Sequence, residues 1–238
     1  MRPAPPVASG GVASLMRQSR LHIATTGPGD WQARLADPAK QWKRGYSART
    51  AAHAWEAAAP GLPPEVAALL GPEAELQLAI VEHKVALPGG TRESQQDLFC
   101  LARAGGEDMA VAIEAKVNES FDKTVAEWFA TPSPGKRIRL AAICAELGIA
   151  DPPPGGLRYQ LLHRTAAAVI EARRFRRPVA AMIVHSFSPE ARWLDDFTAF
   201  ATHLGLDVGP GRAARKVLPC GTALLIGWAR GDPAFLAA

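Results

Sequence analysis

Cysteine is scarce in this chain: Cys100, Cys144 and Cys220 lie far apart and form no C-x-x-C pair. That spacing argues against a disulfide framework and a structural zinc site, and it suits a reducing, cytoplasmic setting. No run approaches the roughly 18 apolar residues of a membrane-spanning helix, so no membrane association is expected. The opening residues, MRPAPPVASGGVASLMR, contain no unbroken apolar core of signal-peptide length. There is no internal repeat, and no G-x-G-x-x-G follows a strand. Gly135-Lys136 fails as a phosphate loop because Ala130 and Arg137 stand at the other defining positions. His185-Ser186 lacks a G-x-S-x-G elbow. Ser186-Phe187-Ser188-Pro189 reads instead as a helix cap, which sets aside a serine triad with Asp195 or Asp196.

What remains is an ordinary globular composition, 48% apolar and 21% charged, with a net charge of +4 that permits a polyanionic partner without demanding one. Residues 1–28, rich in Pro, Gly, Ala and Ser, read as a loosely ordered extension. Residues 29–62 carry Trp31, Trp42, Trp55 and Tyr46. They read as a helical arm anchored on the core by its aromatics, or as an aromatic and basic surface (Trp42-Lys43-Arg44-Gly45-Tyr46) that touches nucleic acid. Residues 63–238 read as one α/β domain. Pro63-Pro64 starts a helix through Leu70, and Pro72 is expected to open another from Glu73 to about Val81. A strand follows at Val85–Leu87, then a hairpin. Beyond it the pattern predicts a helical segment to about Thr131, a helix from about Lys136 to Leu147, and a long helix over Tyr159–Phe175. A buried strand at Val179–Val184, a helix over Trp193–His203 and a last strand at Thr222–Trp228 complete the reading. The order is α, β, β, β, α, β, α, β, with two extra helices after the third strand. That is an α/β or α+β layered fold around a mixed central sheet flanked by helices.

The hairpin carries the chemistry. Leu98–Ala102 and Met109–Ile113 flank a short turn, Ala-Gly-Gly-Glu-Asp. Asp97 opens the first arm, and Glu114 with Lys116 closes the second, so antiparallel pairing gathers all three at one sheet edge. An E-x-K triplet alone means little, since chance supplies about one in such a composition and Glu82-His83-Lys84 is another. The second triplet stands out because a carboxylate sits at the matching end of the partner strand. Asp97 and Glu114, with the Ala115 carbonyl, suit a hard cation such as Mg²⁺, which takes one or two carboxylates and keeps several waters. Lys116 beside it could orient or deprotonate a water and offset charge on a phosphate. The competing explanation is a structural ion pair.

These residues resemble the PD-(D/E)xK superfamily of restriction endonucleases and Holliday-junction resolvases over roughly residues 64–185. The whole chain is also similar to an uncharacterised bacterial family. The superfamily resemblance implies a restriction endonuclease-like core and Mg²⁺- or Mn²⁺-dependent phosphodiester hydrolysis. It implies a nucleic-acid substrate, with DNA preferred to RNA on the superfamily's habits, and it admits a homodimer that reaches both strands. Asp97 and Glu114 would be the metal ligands and Lys116 the catalytic lysine. Glu82, or Glu75 in its place, would be the supporting, metal-proximal glutamate and a third metal ligand, and Gln160 the glutamine of the helix after the E-x-K. Two features depart from the pattern: Gln96 rather than proline precedes Asp97, and an insertion between Asn118 and Leu157 delays the Gln160 helix.

Arg158, His163 and Arg164 cluster early on that helix as candidate nucleic-acid contacts. The rival to a nuclease is a non-catalytic, nuclease-like module that binds nucleic acid or a protein. Geometry separates the two. Carboxylates of Asp97 and Glu114 within about 5 Å, open to a groove, allow a bridging metal. Side chains that diverge, or are sealed by Lys84 or an arginine, favour binding without catalysis. An unrelated enzyme built on His163 and His185 would bring those imidazoles into one pocket.

Overall fold

A computed structural model describes residues 25–238 of the chain. The extension expected over residues 1–28 therefore falls almost wholly outside the described residues. Three helices come first, α1 (Gly29–Gln32), α2 (Pro38–Gln41) and α3 (Ser47–Ala58), then α4 (Pro64–Leu70). Strands β1 (Glu75–Val85), β2 (Ser94–Ala104) and β3 (Glu107–Lys116) form an antiparallel meander. Helices α5 (Val125–Phe129), α6 (Pro134–Leu147) and α7 (Tyr159–Arg174) lead to β4 (Val179–Ser186), which lies parallel to β3. Helix α8 (Leu194–His203), β5 (Ala213–Val217) and β6 (Ala223–Arg230) follow. The six strands make one mixed, open sheet in the order β1-β2-β3-β4-β6-β5.

Strand alternation divides the core into two layers. Phe99, Leu101, Ala110, Ala112, Met182 and Ile226 face Leu161, Leu162 and Val169 of α7. Leu98, Cys100, Val111, Ile113 and Ile183 face Trp31, Trp55, Val66 and Leu69 of the N-terminal helices. Parity therefore assigns Asp97, two before Phe99, and Glu114, two after Ala112, to the α7 side of the sheet. No helix among the described residues is long and apolar enough to cross a membrane.

Three expectations need correction. The stretch read as a helix from Glu73 to Val81 is most of β1, paired with β2 from Glu75↔Arg103 to Val85↔Ser94. Glu, Leu and Ala are good helix formers, but Leu76, Leu78 and Ile80 also alternate, and nine paired positions with β2 override propensity. Glu75 is thus the first residue of a strand, and Leu87 lies in the loop after it. The helical segment expected as far as Thr131 is a single turn, α5, held by a capping box between Thr124 and Glu127. The next helix, expected from about Lys136, starts at Pro134, and Ser133 caps it by accepting from Lys136 N at 3.2 Å.

The hairpin turn is shorter than the five residues its composition suggested. Gly105 (φ 56°) and Gly106 (φ 81°) alone connect Ala104 to Glu107, the conformation glycine adopts without penalty in a two-residue turn. The edge strand β5, with the sequence AARKV, was not foreseen, because its charged residues show no apolar alternation.

Candidate active site

Register, not proximity in sequence, assembles the site. The pairs Val81↔Leu98 and His83↔Gln96 put Glu82 across from Asp97. The pair Leu98↔Ile113 is the last of the β2–β3 ladder, which leaves Asp97 and Glu114 one step beyond it. There the Asp97 side chain takes over the role of the strand: its Oδ2 accepts the Ala115 backbone N–H at 2.7 Å. Glu82, Asp97 and Glu114 thus form a row across three strands. Glu82 is itself irregular, with φ 55° in mid-strand, a conformation costly for a residue with a side chain.

The α7 helix closes over this row. Gln160 and Arg164, four residues apart, share a face of the helix. Gln160 Nε2 donates to Glu114 Oε1 at 2.8 Å, and Lys116 Nζ donates to the same oxygen at 2.7 Å. Arg164 Nε donates to Glu114 Oε2 at 2.7 Å, and its Nη1 reaches Ser94 Oγ at 3.3 Å. Glu82 Oε2 accepts from Gln95 Nε2. Lys116 also lies 5.0 Å from the centroid of the Phe121 ring, a cation–π contact. Glu82, Asp97, Glu114, Lys116, Gln160 and Arg164 border one cavity of about 360 Å³, whose other wall is the Lys40–Ala48 part of the arm. Glu119 ties that wall down, accepting Ser47 N at 2.8 Å and Val117 N at 3.1 Å.

The electrostatics of the row are lopsided. Burial disfavours the Glu114 charge, but Arg164 and then Lys116 outweigh it and hold this carboxyl down at about 2. Burial raises Asp97 well above the usual carboxylate range, and the negative Glu114 and Glu82 add to the effect. Burial likewise pushes Glu82 up to about 7, against the hydrogen bond from Gln95 and with Glu114 reinforcing it. Burial opposes the Arg164 charge, yet Glu114 and Asp97 keep the guanidinium firmly protonated. Three carboxylates thus share two close cations, an arrangement short of positive charge.

A hard cation fits this donor set. A carboxylate offers about four lone-pair positions. Glu114 Oε1 already takes two donors, but Oε2 takes only Arg164, and Asp97 Oδ1 has no hydrogen bond among the described residues. No three His, Cys, Asp or Glu side chains among the described residues stand close enough to hold one ion together. Glu82 therefore does not complete a three-carboxylate set with Asp97 and Glu114 as the side chains stand. Two carboxylates with waters remain, the set Mg²⁺ commonly accepts. Lys84 is exposed and seals nothing, whereas an arginine, Arg164, does take one oxygen of Glu114.

A family model described as a domain of unknown function (DUF6946) matches residues 24–233. The chain belongs to this family. No curated protein and no solved structure matches it. Within this DUF6946 chain the geometry unites four residues singled out from the sequence, Asp97, Glu114, Lys116 and Gln160, with Glu82 beside them. Glu75, at the far end of β1, pairs with Arg103 and is remote from the row.

The basic candidates separate. Arg164 is part of the carboxylate site. Arg158 is a clasp, its Nε 3.0 Å from Asp196 Oδ2 and its Nη1 2.7 Å from the Asp122 carbonyl oxygen. The His163 ring lies beside Ser94 Oγ, 2.8 Å from Nδ1, and burial, then Arg164, pushes it down to about 3, so it stays neutral. His185 lies in the other core layer. Its Nδ1 accepts from Trp55 Nε1 at 3.3 Å, which leaves Nε2 to donate to Glu65 Oε1 at 2.7 Å. The two imidazoles do not converge.

Sequence reading missed Ser94 and Gln95, because the strand was expected to begin at Asp97. A strand started earlier would have put Gln95 on the Asp97 face by alternation.

Proposed function

We propose that this chain is a divalent-metal-dependent phosphodiesterase of nucleic acid, DNA in preference to RNA, with a PD-(D/E)xK-type site. The observation that carries the reading is the meeting of Asp97, Glu114, Lys116 and Gln160 at one cavity, from two strands and a helix far apart in sequence. The succession α4, β1, β2, β3, α7, β4, with α5 and α6 inserted, supports a restriction endonuclease-like core.

Asp97 Oδ1 and Glu114 Oε2 would hold Mg²⁺ or Mn²⁺. The ion would polarise the phosphoryl group and lower the pKa of a bound water. Gln160 fixes Glu114, so the carboxylate cannot rotate away from its place in the row. Lys116, anchored by Glu114 and seated on Phe121, presents an ammonium where charge accumulates on the phosphate. Arg164 supplies a second fixed cation beside it. In hydrolysis the P–O ester bond breaks, the water's hydroxyl joins phosphorus and its remaining proton passes to the leaving oxygen. A homodimer would let two such sites address both strands, and a cytoplasmic location keeps the three thiols reduced.

One observation favours a second reading. The Arg164–Glu114 contact at 2.7 Å neutralises the carboxylate internally, as a nuclease-like module that binds nucleic acid without cutting it would require. The deciding experiment incubates purified protein with Mg²⁺ or Mn²⁺ on single- and double-stranded DNA and RNA, with Asp97→Ala as control. Cleavage lost in the control supports the enzyme. Binding without cleavage supports the module.

A further inference from the structure

Beside the carboxylate cavity lies a second one of about 290 Å³, and Gln160 and Arg164 line both. Its walls are the loop after β1, the Asp122–Lys123 turn and the first turns of α7. Its charge is opposite to that of its neighbour. Four cations, Arg92, Lys123, Arg139 and Arg164, stand against two carboxylates, Glu93 and Asp122. In the adjoining cavity four carboxylates face three cations.

The cations differ in how far they are already engaged. Arg139 is structural: its guanidinium donates to the carbonyl oxygens of Pro88 at 3.0 Å, Gly90 at 3.1 Å and Leu87 at 3.2 Å. It fixes the loop wall, where Gly89 (φ 85°) is packed so tightly that a Cβ would collide with the Gly135 carbonyl. Arg164 is turned to Glu114. The side chains of Arg92 and Lys123 are exposed and make no hydrogen bond or ion pair among the described residues, so two charges on separate walls stay open to a ligand. The aromatic lining is closed to bases, since Trp128 and Tyr159 stack on each other at 3.8 Å and His163 tilts onto Tyr159 at 4.9 Å. The cavity is therefore suited to an anion and not to a stacked base.

We propose that this cavity is a phosphate subsite for the nucleotide next to the bond that lies at Asp97 and Glu114, with Arg92 and Lys123 as its binding residues. The inference rests on the nucleic-acid reading of the neighbouring site. A strand whose scissile phosphate sits at the carboxylate row carries its next phosphate past the shared Gln160–Arg164 wall into the positive cavity. Recognition there is of backbone charge and carries no base preference.

The test uses the full-length chain carrying Asp97→Asn, which permits binding without cutting, with and without Arg92→Ala and Lys123→Ala. Affinity for a labelled single-stranded oligonucleotide is measured over a range of salt. A series of oligonucleotides, each with one neutral methylphosphonate in place of a phosphate, is measured alongside. The expected result is about tenfold weaker binding by the double variant and a salt slope shallower by about 1, with an unchanged melting temperature. One methylphosphonate position should weaken the parent and leave the double variant indifferent. A parent that binds while the double variant matches it in affinity, slope and methylphosphonate profile overturns the subsite alone. A parent that binds no nucleic acid overturns the underlying reading, and the subsite with it.

Discussion

Arg164 Nε lies 2.7 Å from Glu114 Oε2, so a guanidinium from α7 holds the carboxylate that ends β3. Both side chains are nearly buried, 11% and 3% exposed, and Arg164 is the cation on Oε2 while Lys116 takes Oε1. Removing one partner of such a pair costs about 3–5 kcal/mol, because the other is left charged and enclosed. Arg164→Ala should therefore lower the melting temperature sharply, and Mg²⁺ should restore more stability to this variant than to the parent. Thermal unfolding with and without Mg²⁺ checks it. Equal response to the ion in both proteins would separate Arg164 from the cation site.

Asp97 stands in the opposite situation. Enclosed and facing two other carboxylates, it is unfavourable as an anion when no cation is bound. Asp97→Asn keeps an acceptor for the Ala115 N–H and removes the charge. We expect the variant to be more stable than the parent by about 1–2 kcal/mol at neutral pH, while cleavage is lost. Urea unfolding measures the first and a nuclease assay the second. A less stable variant would show that the charge on Asp97 is compensated in the free protein.

The hairpin and its three charged residues were legible because β-alternation and a glycine turn are local signals. Gln160 was legible only through the resemblance, its helix displaced by the insertion that forms α5 and α6. Glu82 lies at the same cavity as Asp97 and Glu114, although its strand was half misread, since Pro72 and the helix formers after it outweighed alternation until pairing with β2 was visible. Arg164 could have been tied to Gln160 by their four-residue spacing. Arg92 and Lys123, the proposed phosphate contacts, carry no signal in the sequence, because loop residues follow no period and meet only when the chain has folded.

His163 gives the protein an acid sensitivity. Its folded pKa, about 3, lies below the unfolded value of 6.5, so the unfolded chain binds the extra proton between them. The contribution to stability is complete above pH 6.5 and falls as pH drops toward 3, by up to about 1.4 kcal/mol per unit. Denaturant midpoints from pH 7 to pH 4 should fall less steeply in His163→Gln than in the parent. Parallel curves would place the acid sensitivity elsewhere.

Trp55 tests the attachment of the arm. Its indole N–H satisfies His185 Nδ1 on a fully buried ring. Trp55→Phe should cost about 1–3 kcal/mol, combining a lost donor with an unpaired buried acceptor. Equilibrium unfolding reads it directly, and a neutral effect would mean the ring finds another donor.

Lys116→Ala tests the central claim most directly. Cleavage of DNA in Mg²⁺ or Mn²⁺ is measured for the parent and the variant, with fold checked by circular dichroism and cation binding by calorimetry. The account predicts cutting by the parent and none by the variant, with fold and cation binding retained. A parent that does not cut, or a variant that cuts as well as the parent, would contradict it.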